Sequence, residues 1–119
     1  MMHAEVHYLE SNDHFEWSDF VRYHSPNPYD DYGWFHVTVG ATGIKGGNDF
    51  LVCVATPRAV GRARRTGSVP GIIVDRFDAP TVRKAIYDRV TAIKGHTWEQ
   101  IVDQLREIME WEYEGMAGP

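Results

Sequence analysis

The chain has 119 residues, 43% hydrophobic, 24% charged and 13% aromatic, the proportions of one compact domain built on a single core. A lone cysteine, Cys53, excludes an internal disulfide and a cystine-stapled secreted scaffold, and no apolar run approaches the roughly 18 to 20 residues of a membrane helix. The net charge of −5 is unevenly spread: residues 1–33 hold seven acids against Arg22, residues 95–119 six against Arg106, and the middle ten Lys or Arg against four acids.

In chain order, His3 to Glu10 alternates so that Ala4, Val6 and Tyr8 share one side of a half-buried strand and His3, Glu5 and His7 the other. Ser11-Asn12-Asp13 ends it, and His14 to Tyr23 reads as irregular chain with one helical turn. Ser25 to Gly33, with two prolines and a glycine, is a tyrosine-rich loop. Trp34 to Gly40 and Phe50 to Thr56 are strands, joined as a hairpin through the glycine-rich segment Gly40 to Asp49, and Pro57 stops the second. Arg58 to Arg65 forms a short helix, Gly67 to Gly71 breaks the chain, and Ile72 to Phe77 is a fourth strand.

The helix after Asp78-Ala79-Pro80 is the clearest element, because a capping acid precedes a proline in the first turn and Val82, Ile86, Val90 and Ile93 fall on one face. Gly95 suits a left-handed helix stop, and Thr97-Trp98-Glu99-Gln100 opens the next helix as a capping box. That helix buries Trp98, Ile101, Val102, Leu105, Ile108 and Met109 and turns Glu99, Asp103, Arg106 and Glu107 to water. Glu110 to Glu114 alternates as a last short strand, with the acids outward and Trp111 and Tyr113 inward, and residues 113–119 fray. The expectation is an α+β domain over 1–119, a mostly antiparallel sheet of about five strands packed with two C-terminal helices.

The candidate chemistry is sparse. His3 and His7 on one strand face lie about 13 Å apart at roughly 3.3 Å per residue, too far for one metal. The Gly40 to Gly47 segment leads into a strand rather than the helix N-terminus a phosphate cradle needs. Cys53 sits mid-strand as buried filler. Arg58, Arg62, Arg64 and Arg65 form a basic cluster without stacking aromatics, in a chain whose net acidity disfavours nucleic acid. No catalytic, cofactor or metal site is expected.

Three blocks resemble the Immunity protein 8 family, the partners encoded beside bacterial polymorphic toxins. They are the strand ending in Val39-Gly40 with Phe50 to Pro57 after its glycine-rich turn, Gly71 to Asp78 leading into a helix, and Thr97-Trp98-Glu99-Gln100 through Trp111-Glu112-Tyr113. The arginine-rich Arg58 to Gly71 and the loop Pro26 to Tyr32 depart from the family pattern. The resemblance implies an α+β fold, no catalysis, a cytoplasmic role and, as partner, a cognate toxin C-terminal domain; the net acidity and the lack of a long apolar run in turn speak against nucleic acid and membrane as partners. A nuclease toxin offers a basic cleft, so the expected toxin-facing acids are Asp103, Glu107, Glu110, Glu112 and Glu114, with Asp30, Asp31 and Tyr32. The alternatives are a small ligand-binding or enzymatic domain using His3, His7, His36 and carboxylates, and an adaptor for an unrelated protein.

Overall fold

Alternating β-branched and aromatic residues build a central antiparallel meander. The computed structural model describes residues 1–14 and 16–111. In it β1 (Met2–Ser11), β2 (Tyr32–Ala41) and β3 (Asn48–Ala55) pair in sequence order. Three two-residue strands complete a mixed sheet: β4 (Ile72–Ile73) lies parallel to β3, β5 (Lys94–Gly95) antiparallel to β1, and β6 (Glu110–Trp111) antiparallel to β3. The order is β4-β3-β2-β1-β5, with β6 on the same edge of β3 as β4.

Four helices, α1 (Trp17–Arg22), α2 (Val60–Arg65), α3 (Ala79–Thr91) and α4 (Trp98–Leu105), accompany the sheet. The core lies between one sheet face, carrying Phe35, Val37, Val39, Phe50, Val52 and Val54, and the buried sides of α1, α3 and α4. In α3, Asp78 Oδ1 accepts the Thr81 N–H at 2.9 Å, and Val82, Ile86 and Val90 are fully buried, followed by Ile93. Each such side chain contributes about 1.5–3 kcal/mol of burial. In α4, Ile101, Val102 and Leu105 are buried together with Met109, while Glu99, Asp103, Arg106 and Glu107 face water, as the amphipathic pattern predicts.

The structure departs from the sequence reading at five places. Tyr8 does not share the side of Ala4 and Val6: the β1–β2 register slips between Val6 and Tyr8, so the extra residue at His7 reverses the phase, leaves Tyr8 54% exposed and packs Leu9 against the core. The segment read as irregular with one helical turn does carry a helix, but a longer one, the six-residue α1, whose start is tied by Asp19 Oδ2 accepting the Glu16 N–H. Only Ile72–Ile73 of the expected fourth strand pairs; beyond it Phe77 turns away and donates its N–H to the Pro28 carbonyl. Gly95 does not adopt a left-handed conformation but pairs with Met2 as part of β5. The Thr97 box is displaced, since Thr97 Oγ1 accepts the Gln100 N–H but Gln100 Oε1 takes the N–H of His96.

The parallel pairing of β3 with β4 requires a crossover, supplied by a single 3-10 turn (Pro57–Ala59) and α2. On returning, the chain passes so close to residue 108 that a Cβ on Gly71 would lie 1.8 Å from the Ile108 carbonyl oxygen. Gly61, by contrast, sits in α2 with only the far end of Arg65 near its Cβ position, at 3.5 Å. Gly71→Ala is therefore expected to destabilise the fold by at least about 2 kcal/mol, whereas Gly61→Ala should stabilise it by about 0.5–1 kcal/mol. Urea denaturation of both variants measures this, and equal midpoints would contradict the packing described.

Candidate partner-binding face

The helices α1, α3 and α4 cover one face of the sheet, so the side chains that alternate away from the core define the other. Register places Glu10 opposite His36, His36 opposite Leu51, and Leu51 opposite Glu110. Residues directly paired across antiparallel strands point the same way. Glu10, His36, Leu51 and Glu110 consequently form one row across β1, β2, β3 and β6. A second row holds Tyr8, Thr38 and Asp49.

Polar contacts run both within and between the rows. His36 Nε2 lies 3.0 Å from Asp49 Oδ1 and His36 Nδ1 lies 3.4 Å from Glu10 Oε1. Thr38 donates its hydroxyl to Asp49 Oδ1 at 2.6 Å, and the Tyr8 hydroxyl donates to Glu10 Oε2 at 2.9 Å. The Tyr8 hydroxyl titrates above its ordinary value, first because of that hydrogen bond and then because of the Glu10 charge. None of these outward strand positions is Lys or Arg, so the exposed surface is an aromatic and histidine patch set among carboxylates.

At the other end, α2 and the chain after it cover the same face. Trp34 donates its indole N–H to Ser68 Oγ at 2.9 Å, the Tyr32 hydroxyl meets Thr66 Oγ1 at 2.9 Å, and Arg62 binds Asp30 Oδ1 at 2.6 Å. Cys53 and Ala55 are buried outside the main core. The Arg62 guanidinium also lies 5.6 Å from the Tyr32 ring centre. Arg58, Arg64 and Arg65 stand exposed, without an ion pair among the described residues.

The residues singled out in the sequence thus fall into separate groups. Glu110 is exposed at the end of the first row, and Glu107 joins it in lining a groove with Trp34, Leu51 and Cys53. Trp111 packs against the core, as the alternation predicts, while Glu112 and Glu114 lie outside the described residues. Asp103 stands exposed on α4, in the helical layer behind the sheet, and is not brought to this face. Asp31 is occupied by its own loop: its Oδ2 accepts from the Tyr23 and Ser25 hydroxyls, its Oδ1 accepts the Tyr32 N–H, and its backbone N–H donates to Thr56 Oγ1.

A family model, Immunity protein 8, matches residues 4–116. The chain belongs to the Immunity protein 8 family. Comparisons with curated proteins and with solved structures gave no match. For this Immunity protein 8 member the Thr56-Pro57 pair acquires a physical role. Thr56 is buried and exchanges hydrogen bonds with Asp31 through its N–H and hydroxyl, tying the 25–31 loop to the end of β3, and Pro57 begins the crossover.

The sequence reading made Trp34 to Gly40 a strand without assigning its sides, and pairing puts His36 and Thr38 on one side of β2. Tyr8, Glu10 and Asp49 were missed because the bulge at His7 changes which side Tyr8 takes and because β3 begins at Asn48, two residues inside the segment read as loop. Among the described residues no group of three His, Cys, Asp or Glu side chains is placed to hold a metal, and no helix is long and apolar enough to cross a membrane.

Cys53 borders this face as a buried, free thiol. Burial pushes its thiol up to about 11, helped by the carboxylates of Asp13 and Glu110. At pH 8 the thiolate is then roughly 0.1% of the population. Iodoacetamide is expected to modify the folded protein at least about 100-fold more slowly than the urea-unfolded chain. Comparable rates, followed by mass spectrometry, would show that the thiol is accessible and ionised.

Proposed function

We propose that the protein is an immunity protein that neutralises a cognate bacterial toxin domain by binding and occluding it, with no catalysis of its own, and that the open sheet face is where the toxin docks. The observation that carries this reading is the row Glu10, His36, Leu51 and Glu110, aligned on the outward side of four strands, half-buried up to the exposed Glu110, in a chain belonging to an immunity-protein family. An acidic face centred on aromatic and apolar side chains suits a toxin whose active surface is cationic, as a nuclease's is. Charge complementarity then accelerates encounter and selects the partner, while Tyr8, Trp34 and Leu51 supply the area that holds it.

In this reading Glu107 and Glu110, with Glu112 and Glu114 following in the sequence, form the acidic border nearest the β3 edge. Asp30, Asp31 and Tyr32 act by holding α2 and the 25–31 loop as the wall at the other end, and Asp103 contributes long-range field only. The cytoplasm, where a toxin delivered by a neighbouring cell arrives, is the compartment in which such a protein works.

The test is co-expression with the C-terminal domain of the protein encoded immediately upstream. Growth rescue and co-purification are expected, with a non-cognate toxin as control. Within that complex, Glu10→Lys combined with Glu110→Lys should weaken association about 10- to 100-fold and reduce its salt dependence. Glu112→Lys with Glu114→Lys should act in the same direction. Rescue without any effect of these reversals would move the interface to another face, and failure of both rescue and binding would remove the immunity reading.

A further inference from the structure

The glycine-rich loop between β2 and β3 folds over one end of the open sheet face. Glu5 pairs with Gly40 across β1 and β2, one step from the core pair Val6 and Val39, so Gly40 lies on the outward side. It is nonetheless buried, because the loop returns above it. A Cβ on Gly40 would lie 2.5 Å from the Gly46 carbonyl oxygen and 2.5 Å from His7 Cε1, so glycine is what lets the loop and the imidazole share that position. The loop turns at Gly43 and again at Gly46, with φ of +78° and +86°, conformations that other residues rarely adopt.

Its two halves are held differently. The first is tied through the backbone: the Thr42 N–H donates to the His3 carbonyl at 3.0 Å and the Ile44 N–H to the Ala41 carbonyl at 3.1 Å. Among the described residues, a single hydrogen bond joins residues 45–47 to the sheet, from His7 Nδ1 to the Gly46 carbonyl oxygen at 2.6 Å. A carbonyl only accepts, so Nδ1 carries the proton. That donor is present in the neutral ring of this tautomer and in the imidazolium alike, so the contact does not require a charged ring. The bulge makes the contact possible, because the residue inserted at His7 sets its ring on the outward side above Gly40. There the His7 side chain is 22% exposed, with Nε2 3.4 Å from Glu5 Oε2.

We infer that the loop from Thr42 to Gly47 is a hinged strap across the Glu5 end of the open face, and that the His7 Nδ1–H is the latch that holds it down. Latched, the strap stands the exposed Ile44 and Lys45 as an end wall beside a concavity of ≈ 570 Å³, which they line together with Glu5 and His7. Lys45 has no ion pair among the described residues, so an uncommitted cation is set at the end of rows that otherwise carry carboxylates. Lifted, the strap uncovers Gly40 and His7 and takes that cation away, which lengthens the acidic face by the row of Glu5. One hydrogen bond biases such an equilibrium about 2- to 12-fold, a margin that a partner's contacts with either position can overcome. The latch belongs to the free chain and stands whether or not the face receives a toxin.

The experiment is NMR of the full-length, isotopically labelled chain beside its variants. In the native chain the His7 Nδ1–H should show a coupling across the hydrogen bond to the Gly46 carbonyl carbon. Residues 45–47 should have backbone order parameters near about 0.85, and Gly40 should be shielded from a soluble gadolinium chelate. His7→Ala removes the donor; it should lower the order parameters of 45–47 below about 0.6 and expose Gly40 to the chelate, with the amides of α3 and α4 unshifted. His7→Asn keeps a side-chain N–H close to the Nδ1 position and should restore both readouts. Gly40→Ala places a methyl where the Gly46 carbonyl lies and should free the strap with His7 intact. A His7 ring protonated on Nε2 alone, or residues 45–47 equally ordered in the native chain and in His7→Ala, overturns the proposal.

Discussion

The edge of β3 is the constraint on which the architecture depends. Two short strands that are far apart in sequence share it, β4 beside Val54 and Ala55 and β6 beside Phe50 and Leu51. They fit side by side only because Gly71 passes against the Ile108 carbonyl. The junction fixes where the chain leaving α4 rejoins the sheet. It therefore determines that Glu110 faces outward with Leu51 while Trp111 turns inward with Phe50. The same junction closes the cover over Cys53, since the Gly71 N–H donates to the Cys53 carbonyl.

Much of this was legible in the residues, and the limits have physical causes. Helix α3 was readable because its cap, its proline and its apolar spacing all agree, and the two long strands after the tyrosine-rich loop were readable from β-branched alternation. The bulge at His7 was not, because one inserted residue leaves composition unchanged while reversing every later side chain. Nor was the brevity of β4, whose apolar run to Phe77 serves the core without pairing. For the candidate site, the outward direction of Glu110 could be read from alternation, but its alignment with Glu10 and His36 is a matter of register between distant segments. The role of Asp31 shows the same limit: an acid in a loop looks available until the hydroxyls of Tyr23 and Ser25 are found folded onto it.

The charge partition along the chain becomes spatial in the fold. Acids from the first strand and from the last described strand reach one sheet face, with three strand spacings of about 4.8 Å between Glu10 and Glu110. The basic middle segment goes elsewhere, with Arg83, Lys84 and Arg89 on α3 behind the sheet and the arginines of α2 at one end of the face. Arg62 is neutralised by Asp30, so a cation beside the acidic face is committed internally. A surface arranged in this way discriminates between binding partners by sign as much as by shape.

The bulge in β1 has one more consequence. Beyond Met2 and His3, which pair with β5, the outer edge of β1 carries no strand partner among the described residues. A straight, apolar edge of that length would offer free N–H and C=O groups to any passing extended chain. Here the extra residue kinks the ladder midway, and Glu5 and Glu10 place like charges along it. A second copy approaching edge-on meets its own acids and a broken repeat of hydrogen-bonding groups, so the sheet is protected from growing into fibres by the same irregularity that displaced Tyr8.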